Sequence, residues 1–366
     1  MTTLSNSPDA RAFVLPGGVY NATPNRVVFG AGTAASIAAE VKHLRRSKAL
    51  VLSTPGRAKM AAKVVEDLGD LCVGLLPEAV SQVPLELAER GREKARAMGA
   101  DCLVSVGGGA SIGLGKGISL GLDLPIIAIP TTYSGSEMTG FCGITINGVK
   151  QMHTSLSMLA TTVIYDPTLS VGLPIEASMS SAMNALAHCV DGIYVKTISE
   201  AHRLVAAEGA AIVARATRAV LADPSDLQAR TELLYGGHLA GATLSGGFAL
   251  QHGLAHTLGG SFGVPHGLAH ALSLPYVTAF NSRFAPKDVA LIGRAMGVEN
   301  VAGAIHDLLV ALGLPVRLSD AGIKESDIDR IIAITVETDN GLNPAPVTAE
   351  TVREVVLAAF AGQRPD

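Results

Sequence analysis

The stretch Cys102-Leu103-Val104-Ser105-Val106-Gly107-Gly108-Gly109 constrains the fold more than any other part of this chain. A short, largely apolar run has the length and β-branched content of a strand buried on both faces. Three consecutive glycines then let the backbone take positive φ and pass close to a ligand. Gly113-Leu114-Gly115-Lys116 opens the helix beyond them. A strand, a glycine turn and a helix in that order present N–H groups with partial positive charge, where a pyrophosphate fits. A plain tight turn between strand and helix would use the same glycines. The spacing matches neither G-x-G-x-x-G nor G-x-x-x-x-G-K-[ST], because Gly109 is followed by Ala-Ser-Ile-Gly-Leu-Gly-Lys-Gly, so ATP hydrolysis is disfavoured.

The rest of the first half repeats the strand–helix rhythm. Residues 1–25 read as an irregular lead-in. Arg26–Phe29, Ala49–Leu52, Cys72–Leu76 and Leu124–Ile129 read as short strands; Thr33–Lys42, Arg57–Leu68 and Leu85–Met98 read as helices. This alternation predicts a parallel, Rossmann-like sheet covered on both faces. Near Val163-Ile164-Tyr165-Asp166-Pro167 the character changes. From Pro174 onward Ala, Leu, Met, Glu and Arg recur at helical spacing, predicting helices over 175–195, 200–221, 226–245, 248–258, 267–280, 286–295, 300–312, 325–335 and 347–361. The expected architecture is therefore an α/β domain over residues 1–167 and an all-α domain over 168–366.

With 366 residues, 48% hydrophobic, the chain is long enough for two cores. The net charge of −4, the absence of a basic stripe and of Trp, and the 4% aromatic content argue against a nucleic-acid partner. No apolar run reaches the ~18 residues of a membrane span, and the first residues do not read as a secretory leader. Cys72, Cys102, Cys142 and Cys189 are far apart, as expected of buried thiols in the reducing cytoplasm.

Two further segments carry chemistry. Pro130-Thr131-Thr132-Tyr133-Ser134-Gly135-Ser136-Glu137 also follows a strand, and ligands of open α/β sheets bind beyond the carboxyl ends of strands. Its hydroxyls could bond a nicotinamide carboxamide or a ribose; they could equally cap a helix. His252 and His256 are i and i+4, His266 follows after Pro265, and His188 stands one turn after Asn184. A single histidine of this kind reads as a satisfied core residue, and His270 is read that way. Four in short apolar segments point to a site. A zinc-protease motif is excluded because Gly253, not Glu, follows His252. Asp191, one further turn along the Asn184–His188 face, either orients an imidazole or is a solvated carboxylate.

In order, the segments Ser105–Gly109, Pro130–Glu137, Asn147-Gly148-Val149-Lys150, Val163–Asp166, Asn184–His188 and His256–Phe262 resemble those of the iron-containing (group III) alcohol dehydrogenase superfamily, which shares its fold with dehydroquinate synthase. Within it the chain is similar to the maleylacetate reductase family, from Arg26 to about Asn281. The resemblance implies reduction of the carbon–carbon double bond of maleylacetate to 3-oxoadipate, in aromatic-compound degradation, by a cytoplasmic homodimer acting on a small dicarboxylate. It implies that Gly107, Gly108, Gly109 and Ser111 contact the cofactor pyrophosphate. It places Thr131 and Thr132 on the nicotinamide half and Lys150 near its ribose. Ser53-Thr54 stand where NAD-specific relatives carry Asp, so both NADH and NADPH are expected. The Asp and three His that bind metal in other members match Asn184, His188, His252 and His266. An amide is a weak ligand, so no essential metal is expected. Imidazoles of His252 and His256, helped by His188 and His266, are expected to stabilise the charge that develops on the substrate's ketone oxygen and to supply a proton. The chain departs from this family at Gln151-Met152-His153, where an arginine pair is usual, and at Gln82, usually His. The competing readings are a metal-dependent alcohol or polyol dehydrogenase of the same fold, a lyase using NAD transiently, and a non-catalytic binding protein.

Overall fold

The computed structural model describes residues 26–147 and 149–366; the lead-in expected over 1–25 lies outside them. The strands are β1 (Arg26–Phe29), β2 (Ala49–Leu52), β3 (Cys72–Leu76), β4 (Cys102–Gly107), β5 (Ile126–Pro130), β6 (Phe141–Ile146), β7 (Val149–Thr154) and β8 (Thr162–Tyr165). Six of them form one sheet in the order β1-β8-β5-β4-β2-β3, and every pairing in it is parallel. The crossovers use α1 (Ile37–His43), α2 (Ala58–Leu68), α3 (Leu85–Ala97) and α4 (Gly109–Leu122).

The inner strands β2, β4, β5 and β8 are almost wholly apolar because both faces are covered. Leu50, Leu52 and Leu103 pack with Leu87, Leu114 and Ile118 on one side. Ala49, Val51, Val104 and Ile127 pack with Ile37, Val41 and Val64 on the other. Each such side chain contributes roughly 1.5–3 kcal/mol when fully buried. α4 lies close on the sheet because it carries glycines; a Cβ at Gly115 would collide with Ser105 Oγ.

The rest of the chain is helical: α5 (Ile175–Gly192), α6 (Glu200–Ala222), α7 (Leu227–Leu244), α8 (Leu250–Phe262), α9 (His266–Ser282), α10 (Pro286–Met296), α11 (Val301–Ala311), α12 (Ile328–Glu337) and α13 (Ala349–Ala361). Met183, Leu186 and Val190 of α5 join the same apolar cluster as Leu50 and Leu103 of the sheet. A second cluster gathers Leu254, Leu272, Ile331 and Val352 from α8, α9, α12 and α13. No helix among the described residues is long and apolar enough to cross a membrane.

The structure corrects the sequence reading in three places. α4 begins at Gly109 rather than near Gly113, with Gly108 as its N-cap; the three glycines end the strand, cap the helix and open it. Thr162–Tyr165 is a full strand, buried along its length between β1 and β5. β6 and β7 pair as a separate antiparallel hairpin, which was not anticipated.

Candidate functional site

Chain order reverses between β2 and β4: from β2 the chain moves out to β3, then returns to β4 on the other side. Crevices for ligands open at such points, beyond the carboxyl ends of the strands. Gly107 ends β4 there with φ 138°, and a Cβ on it would stand 2.6 Å from Ser111 Oγ. Gly109 has no heavy atom within 4 Å of where its Cβ would be, so the first turn of α4 is open to a ligand. Ser53 and Thr54 continue β2 alongside; Ser53 is buried and its hydroxyl donates to the Thr54 carbonyl at 3.2 Å.

A cleft of about 350 Å³ runs from this turn into the helical region. Gly109 and Thr132 line it, with Lys150 from β7, Asn184 and His188 from α5, His252 and His256 from α8, and His266 and His270 from α9. Gly107, Gly108, Ser111, Thr131, Ser53 and Thr54 are not among the residues that line it. Thr131 and Ser111 are buried, each with a hydroxyl lacking a partner. The 3-10 turn over Ser136–Met138 is preceded by Gly135 with no side-chain cap, so the loop hydroxyls do not serve as caps for it.

Three helices each contribute a pair of polar side chains one turn apart: Asn184/His188, His252/His256 and His266/His270. The rings pack together, with centroids 4.9 Å apart for His188 and His252, 4.7 Å for His252 and His270, and 4.6 Å for His266 and His270. His270, read from the sequence as an ordinary core histidine, is part of this cluster. Gln251 Oε1 accepts from its Nδ1 at 3.1 Å, and its Nε2 has no partner. The i, i+4 spacing of His266 and His270 was the available signal.

Asp191 is fully buried and not solvated. Its carboxylate accepts from His252 Nδ1 at 2.7 Å, from the Ala249 N–H at 2.6 Å and from Tyr194 Oη at 3.1 Å. His252 Nε2 in turn lies 2.7 Å from His188 Nδ1, and His188 Nε2 lies 2.9 Å from the Ser134 carbonyl oxygen. This chain ends in an acceptor on both sides, a carboxylate and a carbonyl. The two outer hydrogen bonds place a proton on His252 Nδ1 and one on His188 Nε2. His188 stays neutral: burial, then the charge of His252, holds it well below the usual imidazole range. Burial also holds His256 and His270 well down; the Lys150 ammonium adds to the depression of His256 and lowers the more exposed His266 as well.

Two buried cations brace the Pro130–Phe141 segment. Lys116 Nζ donates to the Ser136 and Phe141 carbonyls at 2.6 and 2.9 Å and to Thr139 Oγ1 at 2.9 Å, and burial pushes its ammonium down to about 8. Arg230 donates to Tyr133 Oη at 2.8 Å and Ser178 Oγ at 2.6 Å. Sequence reasoning singled out neither.

The residues present do not form a cage for a divalent ion. Among the described residues no three His, Cys, Asp or Glu side chains converge on one point. Asn184 supplies only an amide, whose buried Oδ1 is without a partner, and the facing nitrogens of His188 and His252 are hydrogen-bonded to each other. The glycine turn, by contrast, fits a dinucleotide: an open first helical turn, a close backbone approach and unpartnered hydroxyls behind it.

The model of iron-containing alcohol dehydrogenases matches residues 24–167, and that of the C-terminal part of the same family matches 178–360. A maleylacetate reductase of Burkholderia cepacia is 41% identical over 348 residues, 95% of this chain and 99% of the relative. One from Sphingobium indicum is 39% identical, over 95% of this chain and 98% of the relative. The crystal structure of maleylacetate reductase from Rhizobium sp. strain MTP-10005 superposes with a TM-score of 0.91 at 38% identity, covering 96% of this chain and all of that one.

Proposed function

The chain belongs to the iron-containing alcohol dehydrogenase family, and from that premise we propose that it reduces the carbon–carbon double bond of maleylacetate to 3-oxoadipate with NADH or NADPH. The near full-length similarity to maleylacetate reductases supports the reaction. The observation that carries it is the cleft itself, in which imidazoles, and no metal cage, face the open glycine turn.

The reduced cofactor supplies a hydride when bound. Gly107, Gly108, Gly109 and the backbone of Ser111 would hold its pyrophosphate at the start of α4. Thr131 and Thr132 would meet the nicotinamide half. Ser53 and Thr54 offer no carboxylate to repel a 2′-phosphate, so both cofactors are accepted. Residues 1–167 would form the nucleotide-binding domain and 168–366 the domain carrying the reactive histidines.

Conjugate reduction puts negative charge on the ketone oxygen. His252, oriented by Asp191, and His256 would donate to that oxygen, His252 Nε2 exchanging His188 for the substrate. Asn184, His188 and His266 would fix the substrate beside them, and one of these imidazoles would supply the proton. We place this enzyme in the cytoplasm as a homodimer degrading aromatic compounds; four free thiols fit a reducing compartment.

The test replaces His252 and His256 by Ala and reads turnover separately from NADH affinity. Turnover should fall about 100-fold or more, in line with the loss of an oxyanion donor, with NADH affinity unchanged. Unchanged turnover in both variants removes the assigned roles.

A further inference from the structure

Lys150 is the one Lys or Arg on the cleft wall among the described residues, and no Asp or Glu lines it. Its stem crosses Gly143 on the paired strand, where a Cβ would overlap the Lys150 Cε. The hairpin therefore needs glycine at 143 to carry the ammonium inward. There the ammonium lies close enough to His256 and His266 for its charge to depress both. Among the described residues no hydrogen-bond or ion-pair partner compensates it. Two carbonyls and a hydroxyl compensate the buried Lys116; Lys150 has no such set, and a carboxylate offers it both an acceptor and a counter-charge. A ribose hydroxyl, the ligand the family resemblance implies, offers the acceptor without the counter-charge.

We propose that Lys150 is the carboxylate-binding cation of the cleft and selects dicarboxylate substrates over neutral ones. This rests on the reductase reading above and deepens it by naming the residue that holds one end of the substrate. The ammonium donates to a carboxylate of the bound dianion, and the hairpin's contribution to the site is that charge. The desolvated state of Lys150, pulled below its ordinary range by burial, is reversed by the carboxylate.

The experiment uses two probes beside maleylacetate: adipate, a six-carbon dicarboxylate with no ketone or double bond, and hexanoate, its single-carboxylate counterpart. The chain has no Trp, so NADH fluorescence reports both cofactor binding and displacement of the nicotinamide environment by the probes. In the unmodified protein adipate should bind more tightly than hexanoate. In Lys150→Met the difference should vanish, and KM for maleylacetate should rise about 10- to 100-fold, the range for a charge-assisted hydrogen bond. NADH affinity should stay within about twofold, and Lys150→Arg should restore most of the adipate affinity. A loss of NADH affinity as large as the loss of adipate affinity overturns the proposal and assigns Lys150 to the cofactor. So does unchanged adipate affinity in Lys150→Met. Should Lys150→Met not fold, Lys150→Gln against Lys150→Arg makes the same comparison. If the unmodified protein discriminates adipate from hexanoate through Lys150 but does not reduce maleylacetate, the carboxylate site stands and the reaction assignment falls.

Discussion

Three imidazoles withdrawn from solvent make the stability of this protein acid-sensitive. His188, His256 and His270 are held well below the ordinary 6.5, in each case first by burial. In the unfolded chain all three titrate at their ordinary value. The folded-state values are depressed, so below 6.5 the unfolded state binds more protons and stability is lost as pH falls. Between pH values of about 7.5 and 5.5 each of these histidines removes about 1.4 kcal/mol, and the three together about 4 kcal/mol. That is a large share of the whole stability of many domains, roughly 5–15 kcal/mol. Most carboxylates titrate lower still, so this window isolates the histidines. Urea unfolding followed by circular dichroism at a series of pH values measures the slope. His270→Gln should reduce the loss by about a third, that is by about 1.4 kcal/mol. A total loss under about 1 kcal/mol, or an unchanged slope in His270→Gln, would refute the burial argument.

Two other substitutions probe the machinery directly. Asp191→Asn removes the carboxylate that His252, Ala249 and Tyr194 donate to; kcat should fall about 10- to 100-fold and stability by roughly 3–5 kcal/mol, with NADH affinity unchanged by direct titration. Gly107→Ala places a methyl 2.6 Å from Ser111 Oγ at a φ of 138°; NADH affinity should drop about 5- to 150-fold, the equivalent of the ~1–3 kcal/mol cost of such strain, and Gly107→Ala with Ser111→Gly should recover only the steric part.

Much of this was legible before any coordinates. Strands buried on both faces cannot hide their apolar runs, so β2, β3, β4 and β5 were readable to within a residue or two; all nine helices after Pro174 were readable as helices, with ends up to about four residues off, as at the C-terminus of α8. The helices were readable because each buries one stripe at a regular period. The histidines of α5 and α8 were legible by i, i+4 spacing. What escaped was the part whose signal depends on partners distant in sequence. β6 and β7 alternate weakly, and Asn147-Gly148 was taken as a motif rather than as the hairpin turn signal it also is; Asn147 has φ 51°. Asp191 could not be told from a solvated carboxylate because its partners, His252 and Ala249, lie about sixty residues away. Lys116 and Arg230 look like surface cations in the sequence, and only the packed structure shows each turned inward on backbone carbonyls and hydroxyls.

The central claim is that imidazoles, without a metal, support conjugate reduction beside a dinucleotide held on the glycine turn. The direct measurement is NADH oxidation with maleylacetate, together with 3-oxoadipate formation, before and after exhaustive chelation. The account predicts one 3-oxoadipate per NADH consumed and a rate unchanged by the chelator. No turnover with maleylacetate, together with an alcohol-dependent activity that chelation abolishes, would contradict it.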